Sequence, residues 1–358
     1  MLTSMASALL TNSQTDDPGG AVRSCPCPCA GVGASRAARE SRCHTPPEVF
    51  AEAPEPSVRP VAVHDVLDQV ARACRPVPAP DRPSQVMILG VTREDGYLLD
   101  NQHAQAGTRF EALSTLFNPS TFRHIEALGI KRGWRCWEVG AGGPSVPEWL
   151  AEQVTPEGYV LASDIDVSWM TKTDQPTYEI RRHDVGAEGP PSGGFDLVHA
   201  RLVLAHVARR AQALAAMVTA IRPGGWLLVE EADPGLQPLV CPDEYGPEHQ
   251  LANQLKHRFR ALMTQRGVDL ACGRTLPRLL RGAGLVDIEA DGFFPMTNPA
   301  CTQLEQATIA QIRDRLVATG AATDEEIDQH LANVATGRLD LATSPMISTW
   351  GRKPTRRP

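Results

Sequence analysis

The sequence predicts an α/β fold in which a parallel sheet carries helices on both faces. Three observations predict it. From about residue 97 onward, short apolar runs alternate with amphipathic stretches, the order that a parallel sheet with crossover helices requires. Some runs are apolar almost throughout, as in Tyr159-Val-Leu-Ala-Ser-Asp-Ile165, and a strand with no solvated face is one covered on both sides. The run Arg135–Val139 breaks into Gly140-Ala-Gly-Gly143 just before a helical segment. That places a glycine-rich loop at the carboxyl end of the first strand, where open α/β sheets take their ligands.

Taken in order, the elements begin after a different kind of sequence. Residues 1–86 hold 12 of the 30 prolines, few aromatics and no sustained periodicity. Such a segment buries too little apolar surface to offset its ordering entropy, so it is read as a disordered Pro-rich extension. One short helix is expected within it, over Val63–Ala73. Cys25-Pro-Cys-Pro-Cys29 and the following Cys43-His44 have spacing that fits zinc ligand pairs poorly, and are read as low-complexity sequence. A start of translation at Met87, with residues 1–86 a mis-called start, is the alternative.

Helices are expected over Tyr97–Phe117 and Ser120–Leu128, broken by Asn118-Pro119 and ended by Gly129. Strand one is Arg135–Val139, followed by the glycine loop and a helix over Val146–Val154. Strands two to four are Tyr159–Ile165, Tyr178–Arg182 and Phe195–His199. A helix over Leu202–Ile221 leads through the turn Arg222-Pro-Gly-Gly225 to strand five, Trp226–Glu230. Helices at Glu248–Arg266 and Thr275–Ala283 precede a strand at Val286–Met296. Two helices, Thr302–Thr319 and Asp324–Ala335, separate that strand from the last one, Met346–Gly351. Thr323 and Glu326 form the pattern of a capping box at the start of the second of these helices.

Composition limits the function classes. Lys+Arg total 35 against Asp+Glu 42, a net charge of −7, which gives no general attraction to nucleic acid or an anionic membrane. No apolar run reaches the ~20 residues needed to cross a bilayer, and the N-terminus lacks the basic region of a secretory signal. The nine cysteines are scattered apart from the run at 25–29, so the expected compartment is a reducing cytoplasm.

The glycine loop and Asp164 at the end of strand two suit a ribose-bearing cofactor, either NAD or S-adenosylmethionine. A dinucleotide fingerprint wants Gly-x-Gly-x-x-Gly with the pyrophosphate on the helix N-terminus. Here the third glycine position is Ser145, and Pro144 and Pro147 remove two backbone donors from that turn. Glu138 stands just before the loop, where its charge opposes a pyrophosphate and favours an ammonium or sulfonium. These features point to a cofactor with a positive end and no phosphate.

Glu138-Val-Gly-Ala-Gly-Gly143 resembles the first motif of class I S-adenosylmethionine-dependent methyltransferases. The resemblance continues through Ser163-Asp-Ile-Asp166, Arg182-His-Asp-Val185, Phe195-Asp-Leu-Val-His-Ala-Arg-Leu-Val-Leu204 and Arg222-Pro-Gly-Gly-Trp-Leu-Leu-Val-Glu230. It is strongest toward the small-molecule enzymes of actinobacteria and runs from about Tyr97 to Gly351. It implies a Rossmann-like, mostly parallel seven-stranded sheet of order 3-2-1-4-5-7-6, with the last strand antiparallel. The methyltransferase domain would be residues 87–352, with lid and acceptor elements at 97–128 and 302–336 and a tail at 353–358.

The resemblance also implies site roles. The Gly140-Ala141-Gly142 backbone and Glu138 would border the methionine part of S-adenosyl-L-methionine. Asp164 would bind the ribose hydroxyls, Ile165 would pack on adenine, and Asp184 and Val185 would meet the adenine amino group. Arg201 would lie near the methionine end, and Gln102 and Arg109 are candidates for the cofactor carboxylate. The acceptor would be a small molecule methylated on oxygen or nitrogen, with no nucleic-acid or membrane partner and a homodimer left open. A general base is needed only for an acceptor that loses a proton; His206 is the first candidate, with His199, Glu231 and Asp233 behind it. The acids Glu230, Glu231 and Asp233 are read as structural rather than metal ligands. The competing readings are an NAD(P)-dependent oxidoreductase, a catalytically silent cofactor binder and a methyltransferase acting on macromolecules.

Overall fold

Seven strands form one sheet in a computed structural model that describes Leu99, residues 101–170 and residues 177–355. The expected Pro-rich extension, its helix at Val63–Ala73, the cysteine run and the start of the first expected helix lie outside the described residues. The elements are α1 (Ala106–Ala127), β1 (Arg135–Val139), α2 (Ser145–Val154), β2 (Tyr159–Asp164), β3 (Glu179–Arg182), β4 (Phe195–Arg201), α3 (Arg210–Ala220), β5 (Ile221–Ala232), α4 (Pro247–Gln265), α5 (Cys272–Gly282), β6 (Val286–Phe293), α6 (Pro299–Ala318), α7 (Asp324–Ala335) and β7 (Met346–Arg352). The strand order is β3-β2-β1-β4-β5-β7-β6, as the resemblance implied. The pairs from β3 to β5 are parallel, and β7 runs antiparallel to both β5 and β6.

Alternation along the central strands explains how the sheet is covered. Side chains of successive residues point to opposite faces. Trp137 and Val139 of β1, Val198 and Ala200 of β4 and Leu227 and Val229 of β5 share one apolar cluster with α3 and α5. Cys136, Val160, Leu197 and Leu228 face the other way, into a cluster with Ile125 of α1 and Leu150 of α2. A third layer lies over the carboxyl ends of the strands. There Leu255 and Phe259 of α4, Ile309 and Ile312 of α6 and Ile327 of α7 pack together.

Three sequence expectations change. The two N-terminal helices are one: α1 runs through Pro119. Proline removes one ladder hydrogen bond and crowds the preceding turn. Pro119 is on the exposed side, while Leu116, Phe117, Thr121, His124 and Ile125 on the same helix are buried, and that packing holds the helix together across the break. The helix expected from Leu202 starts only at Arg210. Leu202 has φ +60, a left-handed conformation that a helix does not contain. Its N–H donates to the Glu230 carbonyl, and the N–H groups of Val203 and Leu204 donate to the Glu231 side chain. The tight turn expected at Arg222–Gly225 lies inside β5, where the pairing jumps from Phe195↔Ile221 to Leu197↔Trp226. The capping box at Thr323 and Glu326 is present at the start of α7.

Candidate active site

The loop after β1 needs its glycines. Gly140 and Gly142 have φ of +64 and +63, which only glycine adopts without strain. A side chain on Gly140 would strike Val203, and one on Gly142 would come within 3.1 Å of the Phe110 ring. The loop is fixed from below by β2. Ala141 N–H donates to the Ser163 carbonyl at 3.0 Å, and Gly142 N–H donates to Asp164 Oδ2 at 2.9 Å. Asp164 Oδ1 accepts from Asp166 N–H at 2.9 Å. The Ile165 N–H is a third backbone donor to this carboxylate, which has about four lone-pair sites, so about one is left for a ligand. Burial raises the Asp164 pKa, against the pull of those backbone donors. Ile165, beside it, is 54% exposed, an apolar side chain standing open at the strand end.

The other expected residues fall into two groups. Asp184 is exposed after β3. Its Oδ1 accepts from Gly186 N–H at 2.8 Å, and Val185 next to it is buried. Gln102, in the turn before α1, hydrogen-bonds to Asp166, so it reaches the loop after β2. Arg109 projects from α1, 5% exposed, with its guanidinium carbon 4.9 Å from the centre of the Phe110 ring. Its Nε and Nη2 are buried without a hydrogen-bond partner. By contrast, Glu138 and Arg201 are turned to the sheet and helix around them. Glu138 Oε2 meets His199 Nδ1 at 2.6 Å, and Arg201 donates to Thr121 and Asn118 of α1, each at 2.9 Å.

Glu138 and His199 open a polar row that follows from strand register. Glu138 pairs with His199 across β1 and β4, Glu230 with Ser348 across β5 and β7, and Ser348 with Asp291 across β7 and β6. His199 Nε2 lies 3.3 Å from Glu230 Oε2. Glu230 Oε1 accepts from Ser348 at 2.7 Å and lies 3.3 Å from His124 Nδ1. His124 Nε2 lies 3.0 Å from Asp291. Burial alone would lower the His199 pKa, but Glu138 and Glu230 on either side raise it to about 9. His199 therefore offsets part of the negative charge that Glu138 and Glu230 bring inside the protein.

Beyond the glycine loop lies a cavity with about 1050 Å³ of empty space, its open mouth included. Its wall is largely apolar, with Leu113 and Phe117 from α1, Phe259 and Met263 from α4, and Leu304 from α6. Arg109, His206 and Glu231 reach it together. Of the expected lid elements, α1 and α6 line it, whereas α7 does not contribute and α4 does. Burial, then the charges of Arg109 and Arg210, push the His206 pKa down to about 4, so the ring is neutral at pH 7. Glu231 is fully buried. Its Oε1 takes the Val203 and Leu204 N–H groups at 2.9 and 2.5 Å, and its Oε2 has no partner. Burial raises its pKa to about 7, against the pull of those donors and Arg210. Asp233 is held by Arg274 instead.

The sequence reading missed Phe110 and Trp169. Their rings meet edge to face at 6.0 Å, Phe110 against Gly142 and Trp169 against Gly107. Phe110 follows Arg109 directly, and its place on an apolar helical stripe was the signal available.

The sheet order and the glycine loop at β1 are those of a class I S-adenosylmethionine-dependent methyltransferase. The chain belongs to the methyltransferase-domain family, whose model matches residues 108–290, and this replaces the nicotinamide alternative. An uncharacterized 37.1 kDa protein in transposon TN4556 of Streptomyces fradiae is 30% identical over 114 residues, 30% of this chain and 33% of that protein. Methyltransferase str3 of Strobilurus tenacellus is 33% identical over 99 residues, 27% and 34% of the two chains. The chain thus spans about a third of the length of the curated relatives it matches. Among solved structures, phosphoethanolamine N-methyltransferase 2 of Haemonchus contortus, in complex with phosphomonomethylethanolamine and S-adenosylhomocysteine, is 16% identical. The match covers 73% of this chain and 61% of that one, with a TM-score of 0.45. A SAM-dependent methyltransferase from Aquifex aeolicus is 14% identical, covering 53% and 91%, with a TM-score of 0.37. No helix among the described residues is long and apolar enough to cross a membrane.

Proposed function

We propose that this protein transfers a methyl group from S-adenosyl-L-methionine to a small molecule, on oxygen or nitrogen. The observation that carries the reading is Arg109, whose buried Nε and Nη2 have no hydrogen-bond partner, and which lines an apolar cavity next to Phe110, the ring that packs on Gly142. A cation left without a partner inside a protein is costly, and the carboxylate of the cofactor supplies one. The cradle fits the rest of that molecule. The Gly140–Gly142 backbone leaves room for a chain to pass, Asp164 keeps an acceptor site for a ribose hydroxyl, and exposed Ile165 offers a face for adenine. Asp184 and Val185 border the far end, and Gln102 braces the loop after β2 through Asp166.

When bound, the cofactor supplies a methyl carbon already activated by a sulfonium. The protein then has to align the acceptor and exclude water, which the apolar walls from α1, α4 and α6 do. For a hydroxyl acceptor, Glu231 is the group that takes the proton, because the residue lines the cavity and its buried Oε2 has no partner. His206, with its pKa pushed to about 4, is a weak proton acceptor and serves instead as a neutral hydrogen-bonding wall. The buried unpaired thiols of Cys136, Cys241, Cys272 and Cys301 support a reducing, cytoplasmic location.

Calorimetric titration with S-adenosylhomocysteine and with NADH tests the reading. The expected result is binding of the first and none of the second. Asp164→Ala removes the loop anchor together with the ribose acceptor and should weaken S-adenosylhomocysteine by ~10-fold or more. Unchanged affinity in that variant would place the cofactor elsewhere.

A further inference from the structure

The cavity holds a second cation whose charge the protein does not balance. Arg260 lines it from α4, one helical turn after Lys256. Both of its partners are neutral: the Pro238 carbonyl and Ser344 Oγ, the latter at 3.2 Å. The carboxylate whose field it feels is Glu305, and that group is already bonded to Lys256 Nζ at 2.8 Å and lies 3.2 Å from His330 Nε2. Asp269, on the same wall, is paired with Arg210 at 2.6 Å. A guanidinium has five N–H donors, and two are used here, which leaves a fork open to an oxyanion. Burial lowers the Arg260 pKa to about 10, so the group is still charged at neutral pH but poorly solvated.

We infer that the methyl acceptor is an apolar molecule carrying a carboxylate, with its body against Phe259, Met263 and Leu304 and its carboxylate on Arg260 and Ser344. The inference rests on the proposed function to one extent: Arg109 is assigned there to the cofactor, so a second anion is needed for the second cation. The apolar wall excludes a small hydrophilic anion as the whole ligand, since it would leave that wall wet. The planar fork favours a planar oxyanion bound through two parallel hydrogen bonds. A neutral ligand of the same shape would leave the Arg260 charge without a counterion.

The test is calorimetric titration of the full chain, saturated with S-adenosylhomocysteine, with matched pairs of probes: benzoate, cinnamate and decanoate, each against its primary amide. At least one carboxylate should bind ~10-fold or more tightly than its amide. Arg260→Met should abolish that preference and Arg260→Lys should retain part of it, both with S-adenosylhomocysteine affinity unchanged. No carboxylate preference in the wild type, or one that survives in Arg260→Met, overturns the inference. Failure of the wild type to bind S-adenosylhomocysteine is a separate result and overturns the proposed function.

Discussion

At the scale of the residue, the proposed role of Glu231 divides one side chain between structure and chemistry. Oε1 clamps the left-handed turn at Leu202–Leu204, and Oε2 is buried without a partner in a residue that lines the cavity. Glu231→Gln separates the two. An amide keeps a carbonyl oxygen for the clamp but loses the base. The carboxylate is the active form, so the rate on a hydroxyl acceptor should rise with pH through about 7 and level off above it. In Glu231→Gln that limb should vanish and kcat fall ~100-fold, within the usual range for general-base catalysis, while S-adenosylhomocysteine binds as before. A retained pH limb would assign the base elsewhere. The sequence made part of this legible. The glycines of the loop were readable because a strand that turns into a helix there needs positive φ at Gly140 and Gly142, and Asp164 because it ends the neighbouring strand; their proposed roles toward a cofactor follow from residue type at those places. Glu231 ranked behind His206 because burial, which lifts one pKa and depresses the other, is not visible in a sequence.

At the scale of the element, the row across β1, β4, β5, β7 and β6 sets the stability of the sheet. His199 carries a positive charge between two buried carboxylates. Its folded pKa of about 9 lies above the ordinary value of 6.5. The stabilisation is therefore complete below about pH 6.5 and is lost as pH rises through 9. Removing one member of such a buried group costs about 3–5 kcal/mol. His199→Phe should accordingly unfold at a much lower denaturant concentration than wild type at pH 6, with the gap narrowing by pH 10. A gap that does not change with pH would mean the ring is neutral in the fold. Glu138 was read from sequence as a charge facing the cofactor; its partner lies 61 positions away, and only strand register brings them together. The same limit explains α1 and α3. Local rules stop a helix at Pro119 and extend one through Leu202, whereas burial of Phe117 and Thr121 and capture of backbone donors by β5 decide otherwise.

At the scale of the whole molecule, the strands themselves were legible because a buried parallel sheet writes itself into apolar runs, whereas their order came from the family resemblance and was met by the sheet. The contribution of α4 to the cavity was not legible, since helix faces are assigned by packing rather than by pattern. We propose residues 87–352 as the functional domain. A protein beginning at Met87 should bind S-adenosylhomocysteine with the affinity of the full chain and melt at the same temperature. Lost binding would show that the Pro-rich segment takes part in the site.

The position of β7 sets the timing of assembly. β6 pairs in the sheet only with β7, and β7 is drawn from residues 346–352. On a ribosome, the strands β1 to β5 and the glycine loop are complete while β6 still waits for its neighbour. Ala342, Thr343, Ser344 and Met346 form part of the cavity wall, and they arrive with that final strand. The glycine loop is thus made well before the cavity wall is complete, and the cavity closes only once residues 342–346 have been added.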